Sequence, residues 1–409
     1  LLVARHDKPI VDVQISFIGA GAAFIPPGKG EVADFTAAIL TDGTRTLDEE
    51  AFNARANDLA ADIGSSSSDE GASIRLRSLS RAEVLQPALK LVNQSLTEPR
   101  FDAEVFRRRQ NQSVTALQQN ETDPAFVADR AATLLDYPDH PYGSSARTSE
   151  QSLRAVTLAD IRAFHRSRYG KNNAIVAVVG DIDRRQTEAL VNTVLAGLPA
   201  KSSRSAAVPP VPERSAQRRD MPFAAEQAQI VMSMPLIRRD DPDYYALVVG
   251  NYILGSGGFD GRLMKTLRDQ YGYTYGAYSN LAPATEAGAF SIAFSTQKAN
   301  AAPALAAAQK VLADFVAEGP TEAELQQSKS NLVGGFTLRF DTNAKLLQYL
   351  SLIGFYNLPD DYLEAYPKAV AAISSAQIKA AWQRRVQPQN MNIVVVGGEA
   401  PQKSDAHQK

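Results

Sequence analysis

The chain has no cysteine and only four histidines in 409 residues, which removes disulfide scaffolds and thiolate metal sites from consideration. The histidines, His6, His140, His165 and His407, show no pairwise metal-ligand spacing, so no transition-metal cluster is visible. Lysine and arginine total 43 against 45 acidic residues, a formal net charge of −2, with no basic block to attract nucleic acid. No apolar run reaches the about 18 residues that a membrane helix needs. The opening stretch LLVARHDKPIVDVQISF reads as strand rather than as a signal peptide, so any leader is expected to have been removed or never to have been there. Lack of cysteine suits an exported protein that avoids stray disulfides, and it suits many cytosolic proteins equally. The segment GSGGFDG follows a helical pattern rather than a strand and is not closed by Gly-Lys-Ser/Thr, which argues against dinucleotide and P-loop sites.

What is present is an ordinary globular balance, 44% apolar and 22% charged, in a chain too long for one core of usual size. An internal duplication divides it. IRAFHRSRYGKNNAIVAVVGD, starting at Ile161, returns as IKAAWQRRVQPQNMNIVVVGG at Ile378, 217 residues later and without a gap. Asn173 pairs with Asn390, Val178 with Val395, Val179 with Val396 and Gly180 with Gly397; each copy reads as amphipathic helix, polar turn and buried strand. DAEVF at Asp102 and EAELQ at Glu322 begin a second matched helix at nearly the same offset. Two similar domains are therefore expected, at 1–200 and 221–400, with a linker over 201–220 containing Pro209, Pro210 and Pro212 and a polar tail over 401–409. VDVQISF and AQIVMSM open the halves as alternating strands, and the mixture of elements without βαβ regularity predicts an α+β class: an antiparallel-rich sheet with helices on one face, its other face lining a cavity.

Residues 250–280, GNYILGSGGFDGRLMKTLRDQYGYTYGAYSN, carry the clearest site signal. Leu254, Leu263, Met264 and Leu267 fall at helical spacing around a loop containing Gly255, Gly257 and Gly258. Arg268 stands near the helix end, Gly272 is a plausible terminator, and YTYGAYS predicts a strand that begins with Tyr275 among its residues. A guanidinium with five donors and a phenol with one suit peptide carbonyls or a carboxylate. Two plainer accounts stand beside this: a surface ion pair of Arg268 with Asp269, and Tyr275 as a half-buried strand aromatic. The glycine loop likewise reads either as room for close approach of a peptide backbone or as a turn needing positive φ.

The stretch resembles the second, non-zinc domain of the pitrilysin-type peptidases, the inverted zincins, through Asn251, Leu254, Gly255, Gly257, Gly258, Phe259, Arg262, Leu263, Leu267, Arg268, Gly272 and Tyr275. Asp269 and Tyr273 depart from that pattern. The resemblance extends over nearly the whole chain and implies that Arg268 and Tyr275 contact substrate near the scissile bond. It also exposes an absence. Active members carry H-x-x-E-H on an early helix, two histidines for zinc and a glutamate to activate water. Here the matching helix is VADFTAAILTDGT, aligned by Ala33, Phe35, Gly43 and Thr44, and the metal positions hold Asp34, Ala37 and Ala38. The paired glutamates of the family, counted back from Asp123 and Pro124, fall on Thr115 and Ala116. First, second and third ligands are missing, and no cofactor is expected on this chain.

The resemblance further implies domains that associate in a clam-shell of four, from one long chain or two shorter ones. A half-length chain without zinc ligands is then expected to be the substrate-binding subunit of a heterodimer, with zinc on a homologous partner and peptide as substrate. No nucleic-acid or membrane partner is expected. Two-chain bacterial members point to the periplasm, with the cytoplasm as the alternative. The rival reading is a purely structural subunit like the core proteins of the respiratory bc complex. His140, in the turn DYPDHPYG, is expected to be solvent-facing or hydrogen-bonded structure, His165 to pack at a helix surface, and His407 to lie in the polar tail.

Overall fold

The computed structural model describes residues 1–203 and 207–398; the polar tail expected at 401–409, with His407, lies outside the described residues. Two five-stranded sheets organise the chain. The first contains β1 (Leu2–Ala4), β2 (Ile10–Ile18), β3 (Asp62–Ser67), β4 (Gly71–Leu79) and β5 (Ala174–Gly180) in the order β1-β5-β2-β4-β3. The second contains β6 (Arg218–Met221), β7 (Gln227–Ile237), β8 (Ala277–Leu281), β9 (Gly288–Gln297) and β10 (Asn392–Val396) in the order β6-β10-β7-β9-β8. Each sheet has one parallel pair, β1 with β5 and β6 with β10, and is otherwise antiparallel. The duplicated segments appear as helix Leu158–Arg168 leading to β5 and helix Ser375–Arg385 leading to β10. The paired glycines that end them, Gly180 and Gly397, both have positive φ (139° and 77°), and at Gly180 a Cβ would sit 2.1 Å from the Ile10 carbonyl oxygen.

Alternation on β2 makes the first core: Val11, Val13, Ile15 and Phe17 are all buried and pack with Leu85, Leu89, Val92, Leu190 and Val194 from the helices Ala82–Thr97 and Arg184–Val194. The intervening residues Asp12, Gln14 and Ser16 form a polar opposite face, where Asp12 accepts two hydrogen bonds from Arg77. Helix Asn343–Phe355 lies against β5 and β2. In the second sheet, helix Pro124–Asp136 presents Ala128, Ala131 and Ala132 to Val231, Val394 and Val396. Alanines let this helix come close to the strands.

The compact units therefore differ from contiguous halves. The first comprises Leu1–Leu117, His140–Pro209 and Gly335–Glu364; the second comprises Gln118–Asp139, Pro210–Gly334 and the residues from Ala365 onward. Each half of the sequence supplies one helix, Pro124–Asp136 or Asn343–Phe355, to the sheet built mainly by the other. Both occupy equivalent places in the duplication, so the exchange is reciprocal. Helical periodicity identifies the apolar face but not the sheet that will cover it, which is why boundaries at 200 and 221 miss it. The stretch expected as a linker over 201–220 ends in β6, which pairs with β10 and so joins the second sheet.

Two buried titratable groups give the units opposite responses to pH. Asp136, at the end of the exchanged helix, accepts a 2.8 Å hydrogen bond from Asn392 Nδ2, and burial pushes its carboxyl up to about 6. His165, expected at a helix surface, is instead buried, with Nε2 2.9 Å from the Leu96 carbonyl oxygen and its ring stacked on Tyr169; burial lowers it to about 4. The amphipathic pattern of Leu158–Arg168 hid this because Phe101 and Tyr169, which cover the ring, lie outside the helix. The folded state binds a proton at Asp136 more tightly than the unfolded chain does, so ionisation costs the second unit stability as pH rises from the ordinary 3.8 to about 6. The reverse holds at His165, whose contribution to the first unit is lost as pH falls from 6.5 to about 4. On going from pH 7 to pH 5, hydrogen exchange corrected for its intrinsic rate is expected to speed up in β2 and slow down in β7. Asp136→Asn keeps the bond from Asn392 and removes the charge; it is expected to stabilise the second unit by about 2 kcal/mol at pH 8 and by almost nothing at pH 4.

Candidate functional site

The helix Val32–Ile39 that matches the family's zinc helix is intact as a scaffold. Phe35 meets Phe106 edge-to-face at 5.5 Å, and Asp42, just beyond the helix, accepts from both Nε and Nη2 of Arg109. These contacts tie it to helix Ala103–Asn120, which carries Thr115 and Ala116. The donors are another matter. Asp34 is exposed on the first turn and accepts from Ser67 Oγ, Ala37 is buried, Ala38 is half-buried, and Thr115 and Ala116 face outward. One carboxylate, one hydroxyl and three methyl groups do not make the three-ligand set of a catalytic zinc, and no group of three or more His, Cys, Asp or Glu capable of holding a metal occurs among the described residues. His140 caps the short turn Pro141–Gly143 and bonds the Pro209 carbonyl at 2.8 Å, a structural role.

In the second unit, residues 244–272 form a broken helix whose irregularities cluster around the glycines. Tyr244–Asn251 continues into a π-helical turn, Tyr252–Ser256; a 3-10 turn, Gly258–Asp260, follows; then Arg262–Met264 leads into a second π-helical turn, Lys265–Gln270. Single π turns are rare and concentrate at functional sites. Leu254, Leu263, Met264 and Leu267 are buried, as their spacing predicts. Gly272, at φ 63°, closes the helix by donating to the Arg268 carbonyl at 2.9 Å.

The glycines divide by role. A Cβ on Gly255 would sit 2.7 Å from Ser279 N, and one on Gly257 2.7 Å from the Tyr252 carbonyl oxygen. The close approach that these two permit is thus taken up by the protein's own strand β8 and helix, a correction to the expectation that they admit a peptide. Gly258 is different: its φ is 69° and nothing lies within 4 Å of a built Cβ. Its neighbour Phe259 is 69% exposed.

Two arginines six residues apart do opposite jobs. Arg262 makes a bidentate pair with Glu324, both contacts 2.7 Å, donates to the Gly319 carbonyl and covers the Phe315 ring. Glu324 also closes a capping box with Thr321, and despite a burial penalty the Arg262 and Thr321 bonds hold its carboxyl at about 2. Sequence reasoning passed over this pair, although T-x-x-E at Thr321 was a readable cap signal. Arg268 has no carboxylate partner among the described residues; its guanidinium carbon rests 4.8 Å from the Phe259 ring centre. The ion pair with Asp269 does not form. Tyr275 is 88% exposed and precedes β8 by two residues, because Thr274 folds back on Gly276 through a 2.9 Å bond and delays the strand expected from YTYGAYS. The half-buried strand aromatic is therefore not what stands there. No hydrogen bond or cation–π contact joins Arg268 to Tyr275; Arg268 and Phe259 are the residues brought together. Tyr271 and Tyr278, also exposed, extend an aromatic surface that the sequence pattern did not isolate.

Two sheets of one topology, an early helix without zinc-ligand donors and an Arg without a carboxylate partner among the described residues beside a glycine turn match the layout of an inactive peptidase domain. A family profile described as the peptidase M16 inactive domain matches residues 155–332. A crystal structure of a peptidase M16 inactive domain from Pseudomonas fluorescens is similar at TM-score 0.93 and 32% identity, covering 98% of this chain and 96% of that one. The chain belongs to the peptidase M16 family, the pitrilysin-type peptidases, as a member without catalytic zinc. A non-peptidase homologue named YmxG from Helicobacter pylori is 23% identical over 406 residues, 98% of this chain and 91% of that protein. The structure of the periplasmic protease PqqL from Escherichia coli shares the fold at TM-score 0.80 and 18% identity; 96% of this chain matches 43% of that one.

Proposed function

We propose that this chain is the substrate-binding subunit of a two-chain zinc peptidase, supplying Arg268 and Tyr275 to a site whose zinc sits on a homologous partner. The observation that carries the reading is the contrast between the two arginines. Arg262 is invested in the fold, whereas Arg268 holds five donors at the surface against one exposed ring. An exposed arginine and an exposed tyrosine flanking Gly272 have no structural task to explain them, and a guanidinium and a phenol suit a peptide carbonyl on which charge develops. Gly258 and Phe259 complete the surface as a turn open to solvent and an apolar platform.

The Escherichia coli periplasmic protease, 43% of which this chain matches, has room for a second unit of like size, the place that this reading gives to the zinc-bearing partner. The same likeness favours the periplasm as the compartment. The chemistry would be divided accordingly: a zinc held by the partner would supply the activation of water, while Arg268 and Tyr275 here bind and orient the peptide. Mixing the purified chain with a zinc-bearing homologue from the same host and assaying an unfolded peptide tests this. Hydrolysis is expected only in the mixture. An inert mixture favours a structural subunit, and hydrolysis by this chain alone, abolished by a chelator, overturns the reading.

A further inference from the structure

A groove of about 300 Å³ opens in the first unit between the polar face of the sheet and helix Asn343–Phe355, and no sequence motif announced it. Its lining is unusual in kind. Eight of thirteen lining residues are serine or glutamine, among them Gln14, Ser16, Ser66, Ser73, Gln348 and Ser351, and none is charged. Hydroxyls on neighbouring strands already pair across it, Ser66 with Ser73 at 3.1 Å, and Gln14 bonds Ser16 at 3.1 Å. Ser351 is the exception: it is 6% exposed and its hydroxyl has no hydrogen-bond partner among the described residues. A buried hydroxyl without a partner at the wall of a polar groove leaves a bond to be made by an occupant.

We infer that this groove binds a short, uncharged polar stretch of peptide and selects against charged side chains. Hydroxyls and carboxamides both donate and accept, which matches backbone amides and the side chains of Ser, Thr, Asn and Gln. A carboxylate entering would shed water and meet no counter-charge, and an ammonium would find the nearby carboxylates of Asp34 and Glu70 already held, the first by Ser67 and the second by Tyr142 and Tyr356. Ser66 and Ser67 belong to β3, the edge strand of the sheet, so an extended chain has main-chain groups alongside the groove to pair with. A neutral sugar is the less suitable occupant. It would want a free aromatic face, whereas Phe355 packs over Gly71, Tyr356 donates to Glu70 at 2.9 Å, and the two rings meet edge-on at 5.1 Å.

The inference rests on the peptide-binding reading for the class of ligand, but it is measured on the full chain without partner, so that either can fail alone. Calorimetric titration with acetyl-Gly-Ser-Asn-Ser-Gly-amide is compared with the same peptide carrying Asp or Lys at its three central positions, and with a neutral oligosaccharide. Saturable binding of the polar peptide is expected, at least tenfold tighter than either charged one. Ser351→Ala should weaken it about threefold to tenfold, and Ser73→Leu, at a half-buried strand position that tolerates bulk more readily, should block it. Equal affinity for charged peptides, preference for the sugar, no saturable binding, or unchanged binding in both folded variants would each overturn the inference. If the two-chain mixture hydrolyses peptide but the titration is flat, the groove falls and the subunit role stands; saturable binding with an inert mixture keeps the groove and removes the subunit role.

Discussion

Arg268→Ala is expected to lower kcat/KM of the proposed two-chain peptidase roughly tenfold to a hundredfold, because a charged hydrogen bond contributes about 1.5 to 3 kcal/mol and each decade corresponds to about 1.4. The chain itself should be nearly as stable as before. Within the fold the substitution removes the stacking of Arg268 on Phe259, and an exposed cation–π pair of this kind contributes about 0.5 to 1 kcal/mol. Arg262→Ala is the matched control and should behave in the opposite sense. It breaks the bidentate pair with Glu324 and the bond to the Gly319 carbonyl, so it should destabilise the second unit by about 2 kcal/mol, the partial exposure of the pair having reduced its value. Its effect carries a pH signature. Glu324 is held at about 2, below its ordinary 4.5, so the stability it brings is complete above pH 4.5 and disappears as pH falls towards 2. The difference between Arg262→Ala and the parent should shrink over that window. An Arg268→Ala complex with unchanged rate would remove that residue from the site.

Gly250→Ala is expected to destabilise the second unit by about 2 kcal/mol or more, against the helix propensity that favours alanine over glycine by about 1. Gly250 lies in helix Tyr244–Asn251, and a Cβ there would stand 2.0 Å from Trp382 Nε1 and 2.6 Å from Cε2. The indole has nowhere to retreat. It is 1% exposed and wedged edge-to-face between Phe290 and Phe315, at 5.5 and 4.8 Å. Relief therefore requires the helix to shift, and the helix runs directly into the π-helical turn that leads to Gly258 and Phe259. Urea unfolding followed by the fluorescence of this single tryptophan gives the measurement. A variant as stable as the parent would mean that the packing of Gly250 against Trp382 is looser than the geometry indicates.

These positions show why some of the molecule was legible in its sequence. The duplicated helix-turn-strand segments needed only local information, apolar period and a closing glycine, and both are found where the pattern puts them. Loss of the zinc donors was equally plain, since Asp34, Ala37 and Ala38 are read directly against a motif. Placement of Tyr275 was harder. Alternating aromatics imply a strand, but a side-chain bond from Thr274 to the nearby backbone won over strand propensity and turned the tyrosine outward. The exchange of helices Pro124–Asp136 and Asn343–Phe355 left no mark in periodicity, because an apolar stripe fits either sheet. The serine groove was illegible for the same reason. Its residues come from β2, β3, β4 and a helix far along the chain, and only the fold assembles them.

The most direct test of the account is purification of the tagged chain from its native host, with zinc counted for each polypeptide recovered and hydrolysis of an unfolded peptide measured on the same sample. The account requires a homologous chain to copurify, one zinc for each pair of chains, the metal remaining with that partner when the two are separated, and activity in the pair alone. Zinc bound tightly to this chain around Asp34, or chelator-sensitive hydrolysis by it in isolation, would contradict the account.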